Sequence, residues 1–119
     1  MCSCLSIGSD SHISVDASSE LRLLEYAQRL TQRRRAILCT DHESCGNFLY
    51  RNANEGGAQV TGFGTGHLQV GQPALWSELD AAHTLIQKTD YSVVQQPADE
   101  RLLDSYVFSE LPFTAIKTR

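Results

Sequence analysis

Asp10 is the residue of this 119-residue chain whose position best suits chemistry, because it directly follows a short apolar run that ends at Gly8. A carboxylate beyond the carboxyl end of a strand can bind a divalent metal ion and accept a proton from water. The alternative is that Asp10 only forms a turn or caps the next helix. His12 lies in the same polar turn, where it could contact a substrate or orient the turn through a hydrogen bond.

A second group of residues with metal-binding side chains consists of Cys39, His42 and Cys45. Structural zinc modules usually space paired cysteines by two to four residues and repeat the pair, which this sequence does not do. We therefore favour two buried or half-exposed thiols beside a loop histidine. A small zinc-binding protein that uses these three residues is kept as an alternative function.

The composition places the chain among soluble globular proteins, with 41% hydrophobic and 20% charged residues. No apolar run approaches the roughly 20 residues that span a bilayer, and we expect no membrane partner. The net charge of −4 offers nucleic acid no favourable field, so the arginines of the first predicted helix are interpreted as a solvated face. We expect a cytoplasmic protein whose cysteines are thiols rather than disulfides.

The most distinct element is a predicted helix over residues 19–35, capped by Asp16 or one of the two serines near it. Glu25 and Arg29 are spaced to form an ion pair on this helix. Arg33, Arg34 and Arg35 are predicted in its last turn. The predicted buried face consists of Leu21, Leu24, Ala27 and Leu30.

The other elements are shorter. Residues 4–7 predict a buried strand, which would place the Asp10 turn at its end. Ser44 can cap a second helix that runs to about Glu55, where two glycines stop it unless it continues for one further turn. The glycine-rich residues 62–71 indicate turns rather than a phosphate-binding loop. Further predicted elements are strands at 68–70, 75–79, 91–94 and 113–117, and a helix at 99–106.

The sequence around Asp10 resembles a known enzyme family. Residues 8–16 read GSDSHISVD, and residues 20–30 contain ELRLLEY followed by QRL. These segments are similar to formimidoylglutamate deiminases, which are histidine-degrading enzymes of the metal-dependent amidohydrolase superfamily. The resemblance is specific over residues 7–35 and looser beyond, where it includes GGAQ at 56–59 and LLD at 102–104.

The resemblance implies an α/β fragment of a larger enzyme. Residues 1–57 would be the end of a (β/α)8 metal-dependent hydrolase barrel, with its last strand, a metal-ligand loop and helices. Residues 58–119 would be C-terminal strands of a small β-sandwich domain with one short helix. The complete enzyme would use one divalent metal ion, by resemblance zinc, to hydrolyse N-formimino-L-glutamate to N-formyl-L-glutamate and ammonia. Asp10 would be a metal ligand and a catalytic proton carrier, and His12 a substrate-binding residue.

The chain also departs from that superfamily. The other metal ligands there are a His-x-His pair and a further histidine, and the histidines of this chain have no such spacing. We therefore expect the isolated chain to be inactive and to bind no metal by itself, while a homo-oligomer is compatible with the sequence. The alternative is a non-enzymatic remnant that binds a partner through residues 5–7 and the apolar face of the first helix.

Overall fold

The computed structural model describes residues 5–79, 98–109 and 113–118. Within them the chain is an α/β fragment, as predicted, although the strand expected at 91–94 lies outside the described residues. The elements are α1 (Ala17–Gln32), α2 (Cys45–Thr61), β1 (Leu75–Leu79), α3 (Ala98–Ser109) and β2 (Phe113–Thr118).

The start of α1 is fixed by Asp16, one of the predicted caps. Its carboxylate accepts a hydrogen bond from the backbone N–H of Ser19 at 2.8 Å, and others from the hydroxyls of Ser18 and Ser19. Burial alone would raise the pKa of Asp16, but these hydrogen bonds hold the pKa below its ordinary value. The helix therefore begins where a local carboxylate satisfies its exposed N–H groups.

The end of α1 differs from the prediction, because the helix stops at Gln32 and residues 33–35 lie beyond it. Arg33 adopts a left-handed conformation with φ of 53°. The following chain then turns back, so that the backbone N–H groups of Ile37 and Leu38 reach the carboxylate of Glu25. A straight helical continuation would carry these two groups away from Glu25.

The predicted buried face of α1 is right at its start and wrong at its end. Leu21 is 1% exposed and Leu24 packs against the core, whereas Ala27 is exposed and Leu30 is 81% exposed. At about 100° per residue, a spacing of three drifts round the helix and puts Leu30 on the side opposite Leu21. Glu25, four residues after Leu21, takes the inward position instead.

The predicted strand at residues 4–7 is not formed within the described part, residues 5–7. Leu5 and Ile7 are half-buried against the core and Ser6 is exposed, so the alternation of a strand is present without a paired neighbour. A strand of a parallel sheet needs an adjacent strand to accept its hydrogen bonds. The carbonyl of Leu5 instead lies against Gly56 of α2, where an added Cβ would be 1.8 Å from the oxygen.

Helix α2 begins as predicted and ends one turn later than its glycines suggested. The hydroxyl of Ser44 caps its first turn, and the backbone N–H of Gly46 donates to the Asp104 carboxylate of α3 at 2.7 Å. The helix passes through residues 56–58 and ends at Thr61, and Gly62 caps it with φ of 68°. The division of the chain near residue 57 remains a prediction.

Among the described residues, the core lies between helices α1, α2 and α3. Its buried members are Leu21 of α1, Leu49 of α2, and Tyr106 and Val107 of α3. Tyr106 packs edge-on against Tyr50, and burial raises the pKa of Tyr106 to about 12. Helix α3 therefore closes the α1–α2 pair rather than standing apart with the strands.

The two strands β1 and β2 form an antiparallel pair in which Trp76 is opposite Lys117. This confirms the strands predicted at 75–79 and 113–117, and α3 confirms and extends the helix predicted at 99–106. The strand predicted at 68–70 is wrong. That segment is a loop in which the N–H of Gln72 donates to the carbonyl of Gln69, between glycines in the left-handed region.

Candidate functional site

Asp10 lies on a tight turn immediately after the extended residues 5–7. The backbone N–H of His12 donates to the carbonyl of Ser9 at 2.7 Å and closes this turn. Asp10 itself has φ of 39°, a left-handed conformation that aspartate tolerates better than most residues. Its side chain is exposed, and it makes no hydrogen bond or ion pair within the described residues. The turn thus presents a carboxylate without a partner in this part of the chain.

His12 is held against the first turn of α1. Its Nδ1 lies 2.5 Å from Oε1 of Glu20, and since a carboxylate can only accept, the Nδ1–H of the imidazole donates. The two side chains are 49% and 16% exposed, so the contact is at the surface. Of the two roles considered for His12, the orienting hydrogen bond is the one that the structure contains. Contact with a substrate stays a prediction.

A shallow groove of about 570 Å³ begins beside this turn and continues along α1. Arg22 lies in it and donates from Nη2 to the hydroxyl of Ser19 at 3.1 Å. The groove therefore combines cationic and polar groups with apolar side chains next to Asp10. Its lining residues are Ser11, His12, Ile13, Ser14, Ser19, Arg22, Leu23 and Tyr26.

Glu25 is a fully buried carboxylate on the inward side of α1, with an exposed fraction of 0%. Its Oε1 accepts from Arg29 Nε at 2.6 Å and from the N–H of Ile37 at 3.0 Å, and its Oε2 accepts from the N–H of Leu38 at 2.8 Å. Burial alone would raise the pKa of Glu25, but these donors hold the pKa below its ordinary value. The predicted ion pair with Arg29 is confirmed.

The burial of Glu25 could not be inferred from its pairing with Arg29, which is equally typical of a surface helix. Its position four residues after Leu21 was the only signal in the sequence. Arg29 also lies 5.4 Å from the ring centre of Tyr26 and 5.3 Å from that of Phe108. These contacts join the charged pair to α3 and give Glu25 a structural role.

The cysteines near α2 do not assemble the cluster considered from the sequence. The Cys45 thiol is buried 3.7 Å from Glu25 Oε1, and burial, reinforced by the charge of Glu25, raises the pKa of Cys45 to about 12. The Cys39 thiol donates to the carbonyl of Ala36 at 3.1 Å, while His42 is exposed. Among residues 5–79, 98–109 and 113–118, no three His, Cys, Asp or Glu side chains are grouped to hold a metal ion. This arrangement does not support the zinc-protein alternative.

The same finding bears on Asp10 and the divalent ion that the resemblance implies. Asp10 is exposed and belongs to no group of three or more His, Cys, Asp or Glu side chains that could hold a metal ion in the described part of the chain, and Glu20 engages Nδ1 of His12. Catalytic zinc needs about three protein ligands with an open position for water. The described residues therefore do not fit a complete metal centre.

A larger cavity of about 640 Å³ lies beside α2 and the glycine-rich loop. It is lined by aromatic side chains, among them Tyr50, Phe63 and Trp76, and shares no lining residue with the groove at the Asp10 turn. At its margin, His67 Nε2 lies 3.5 Å from Glu55 Oε1. The cavity is therefore a feature separate from the turn.

In the part of the chain that is described, no helix is long and apolar enough to cross a membrane.

Comparison with known proteins finds a relative that matches part of this chain in sequence. No family model matches the chain. Over 71 residues the chain is 49% identical to a protein of Pseudomonas aeruginosa named formimidoylglutamate deiminase, a segment that is 59% of this chain and 16% of the relative. The chain thus spans about a sixth of the length of the curated relative that it matches. The predicted resemblance to formimidoylglutamate deiminases is thereby confirmed, over a segment consistent with a C-terminal fragment of such an enzyme.

Proposed function

We propose that this chain is the C-terminal part of a hydrolase that acts on non-peptide carbon–nitrogen bonds of amidines. Its substrate is N-formimino-L-glutamate, which water converts to N-formyl-L-glutamate and ammonia. The observation that carries the proposal is the 49% identity over 71 residues to a protein named formimidoylglutamate deiminase. Within the complete enzyme, residues 1–57 contribute the end of a (β/α)8 barrel, and residues 58–119 contribute part of a β-sandwich domain.

In this proposal Asp10 is the catalytic residue of the segment. Its carboxylate accepts a proton from the attacking water and transfers it to the imino nitrogen, and it then carries the remaining proton of that water to the same nitrogen, which leaves as ammonia. Two features support this role: the side chain is exposed on a turn closed by a 2.7 Å backbone hydrogen bond, and it makes no ion pair within the described residues. Asp10 is also proposed as one ligand of a divalent ion, zinc, whose other ligands lie outside the described residues.

His12 is proposed as a substrate-binding residue. Because Glu20 already engages Nδ1, Nε2 is the ring nitrogen left to contact the substrate. The hydrogen bond to Glu20 fixes the tautomer and the direction of the ring, which is what a binding histidine requires. The complete enzyme is expected to act in the cytoplasm on this small molecule, with or without further oligomer formation.

The proposal predicts that the isolated chain releases no ammonia from N-formimino-L-glutamate, with or without added zinc, because one carboxylate cannot hold the ion. The test compares it with a hybrid enzyme, in which residues of this chain replace the matching segment of the Pseudomonas aeruginosa relative. We expect the hybrid to release ammonia. Turnover by the isolated chain that disappears in Asp10→Asn would contradict the fragment proposal. A folded, metal-loaded hybrid without activity would contradict the proposed reaction.

A further inference from the structure

An apolar surface, which we call the outer face, extends from the Asp10 turn along α1. Its first part is the segment before the helix, where Ile13 is fully exposed and Val15 is 84% exposed. Its second part lies on the helix, where Leu23, Tyr26 and Leu30 are 51%, 41% and 81% exposed. Single exposed apolar residues are ordinary, but a run of five along one turn and one helix is a feature that a partner normally covers.

The three helical members of the outer face are spaced by three and four residues, so they lie on one side of α1. That side is opposite the one that packs Leu21 into the core. Helix α1 is therefore apolar on two sides. Helices α2 and α3 cover the side of Leu21, whereas on the outer face Phe108 of α3 stacks only on Tyr26, with ring centres 6.0 Å apart, and Leu23 and Leu30 stay exposed. A helix that is apolar on both sides is typical of the interior of a larger protein.

The position of the outer face indicates what covers it. Ile13, Leu23 and Tyr26 line the groove that begins beside the Asp10 turn, and this turn lacks the further groups that a metal centre needs. A second copy of the chain could cover the apolar side chains, but it would bring only the same residues to Asp10. The relative offers another source, since the match covers only 16% of its length.

We propose that the outer face is the surface on which the remainder of a formimidoylglutamate deiminase docks. One partner then accounts for both observations, because it buries Leu23, Tyr26 and Leu30 and brings its own polar groups to the Asp10 turn. The inference rests on the proposed function and adds to it the surface through which the segment joins the enzyme. Burial of the apolar side chains stabilises this contact.

The experiment compares one substitution in two settings, the isolated chain and the hybrid enzyme described above. In the isolated chain Leu30→Asp leaves the helix content by circular dichroism unchanged, because Leu30 is 81% exposed there. In the hybrid the same change places a charge against the docked partner, and we expect the melting temperature to fall by about 5 °C or more. The matched control is Thr31→Asp, at an exposed neighbour outside the outer face near the same helix end. We expect this control to change the melting temperature of the isolated chain and of the hybrid by less than about 2 °C.

Several results overturn the docking surface. The proposal is wrong if the Leu30→Asp and Thr31→Asp hybrids have equal melting temperatures. It is also wrong if the hybrid fails to fold. Loss of self-association of the isolated chain in Leu30→Asp, with no effect in the hybrid, assigns the face to a second copy instead. A wild-type hybrid that holds metal and shows the Leu30→Asp effect but releases no ammonia leaves the docking surface standing and overturns the proposed function.

Discussion

Two carboxylates near α1 have opposite surroundings. Glu25 is fully buried and accepts hydrogen bonds from Arg29, from two backbone N–H groups and from the thiol of Cys45. Asp10 is exposed on a left-handed turn, and the described residues supply its carboxylate with no donor at all. An unpaired buried charge strongly destabilises the folded state, whereas an exposed charge is solvated by water and needs no partner within the chain.

This difference indicates a structural role for Glu25 and is compatible with a functional role for Asp10. Glu25 accepts hydrogen bonds from residues 37 and 38 and so holds the chain where it turns back after α1. These hydrogen-bond donors all lie within the described residues. Asp10 occupies a backbone conformation that costs free energy, and its side chain gains no hydrogen bond or ion pair with the described residues in return. Such strain is more often kept where a side chain must be presented to something else. Substitutions at the two sites should therefore alter different measurable quantities.

The largest effect is expected from Asp10→Asn in the hybrid enzyme. The change keeps the shape and the turn preference of the residue but removes the charge and the proton acceptor. Ammonia release should fall by about 10² to 10⁴-fold, and metal retention should weaken, with little change in melting temperature. Asp41→Asn, at another exposed aspartate, is the control, and its ammonia release and metal content should stay near those of the wild type. Near-normal turnover with full metal content in Asp10→Asn would reduce Asp10 to a turn former.

Glu25→Gln should give the reverse pattern, with a loss of stability in the isolated chain as well as in the hybrid. The amide cannot replace the charge that pairs with Arg29, and its NH₂ group opposes one of the donors that Glu25 satisfies. We expect the free energy of unfolding in urea to fall by about 3 kcal/mol. Glu55→Gln, at a surface pair with Arg51, should cost less than about 1 kcal/mol. Equal costs would mean that Glu25 is not a structural ion.

The pH dependence of stability tests the same residue. The pKa of Glu25 is lower in the folded chain than its ordinary value of 4.5, so the folded state binds the proton less tightly than the unfolded state. Its contribution is therefore present above about pH 4.5 and is lost as the pH falls through the folded pKa. Urea unfolding of the wild type should show a steeper acid loss than Glu25→Gln. Asp16 and Glu43 also have lowered pKa values, so part of the acid loss should remain in the variant.

Features set by neighbours along the sequence could be predicted, and those set by packing could not. The caps at Asp16 and Ser44, the Glu25–Arg29 pair and the Asp10 turn all depend on residues a few positions apart. The burial of Glu25 depends instead on N–H groups that return from residues 37 and 38. The strand expected at residues 4–7 depends on neighbouring strands that the described residues do not contain. The turn at the candidate site was therefore predictable, while its groove along α1 was not.

The contact between Leu5 and Gly56 connects the two regions, because it fixes the segment that leads to Asp10 onto α2. Gly56→Ala would place a Cβ 1.8 Å from the Leu5 carbonyl oxygen, and we expect a loss of about 1–3 kcal/mol as the segment shifts. Gly57→Ala meets no atom of the described residues within 4 Å and should instead stabilise α2 by about 0.5–1 kcal/mol. Urea unfolding measures both. Similar signs for the two variants would show that residues 5–7 do not pack on α2 as described.

The smallest expected effect concerns the strain at Asp10 itself. With φ of 39°, Asp10→Gly removes the steric cost of the left-handed conformation but adds freedom to the unfolded chain, so its net change in stability should stay within about 0.5 kcal/mol. Asp10→Ala keeps a Cβ, and alanine adopts the left-handed conformation less readily than aspartate, so this change should cost about 1 kcal/mol. Both variants lose the carboxylate, so both hybrids should be inactive. A stability difference between two equally inactive variants would separate the conformational role of residue 10 from its chemical one. If glycine and alanine were equally stable, the left-handed turn would not be a constraint, and its presence could no longer count in favour of a functional Asp10.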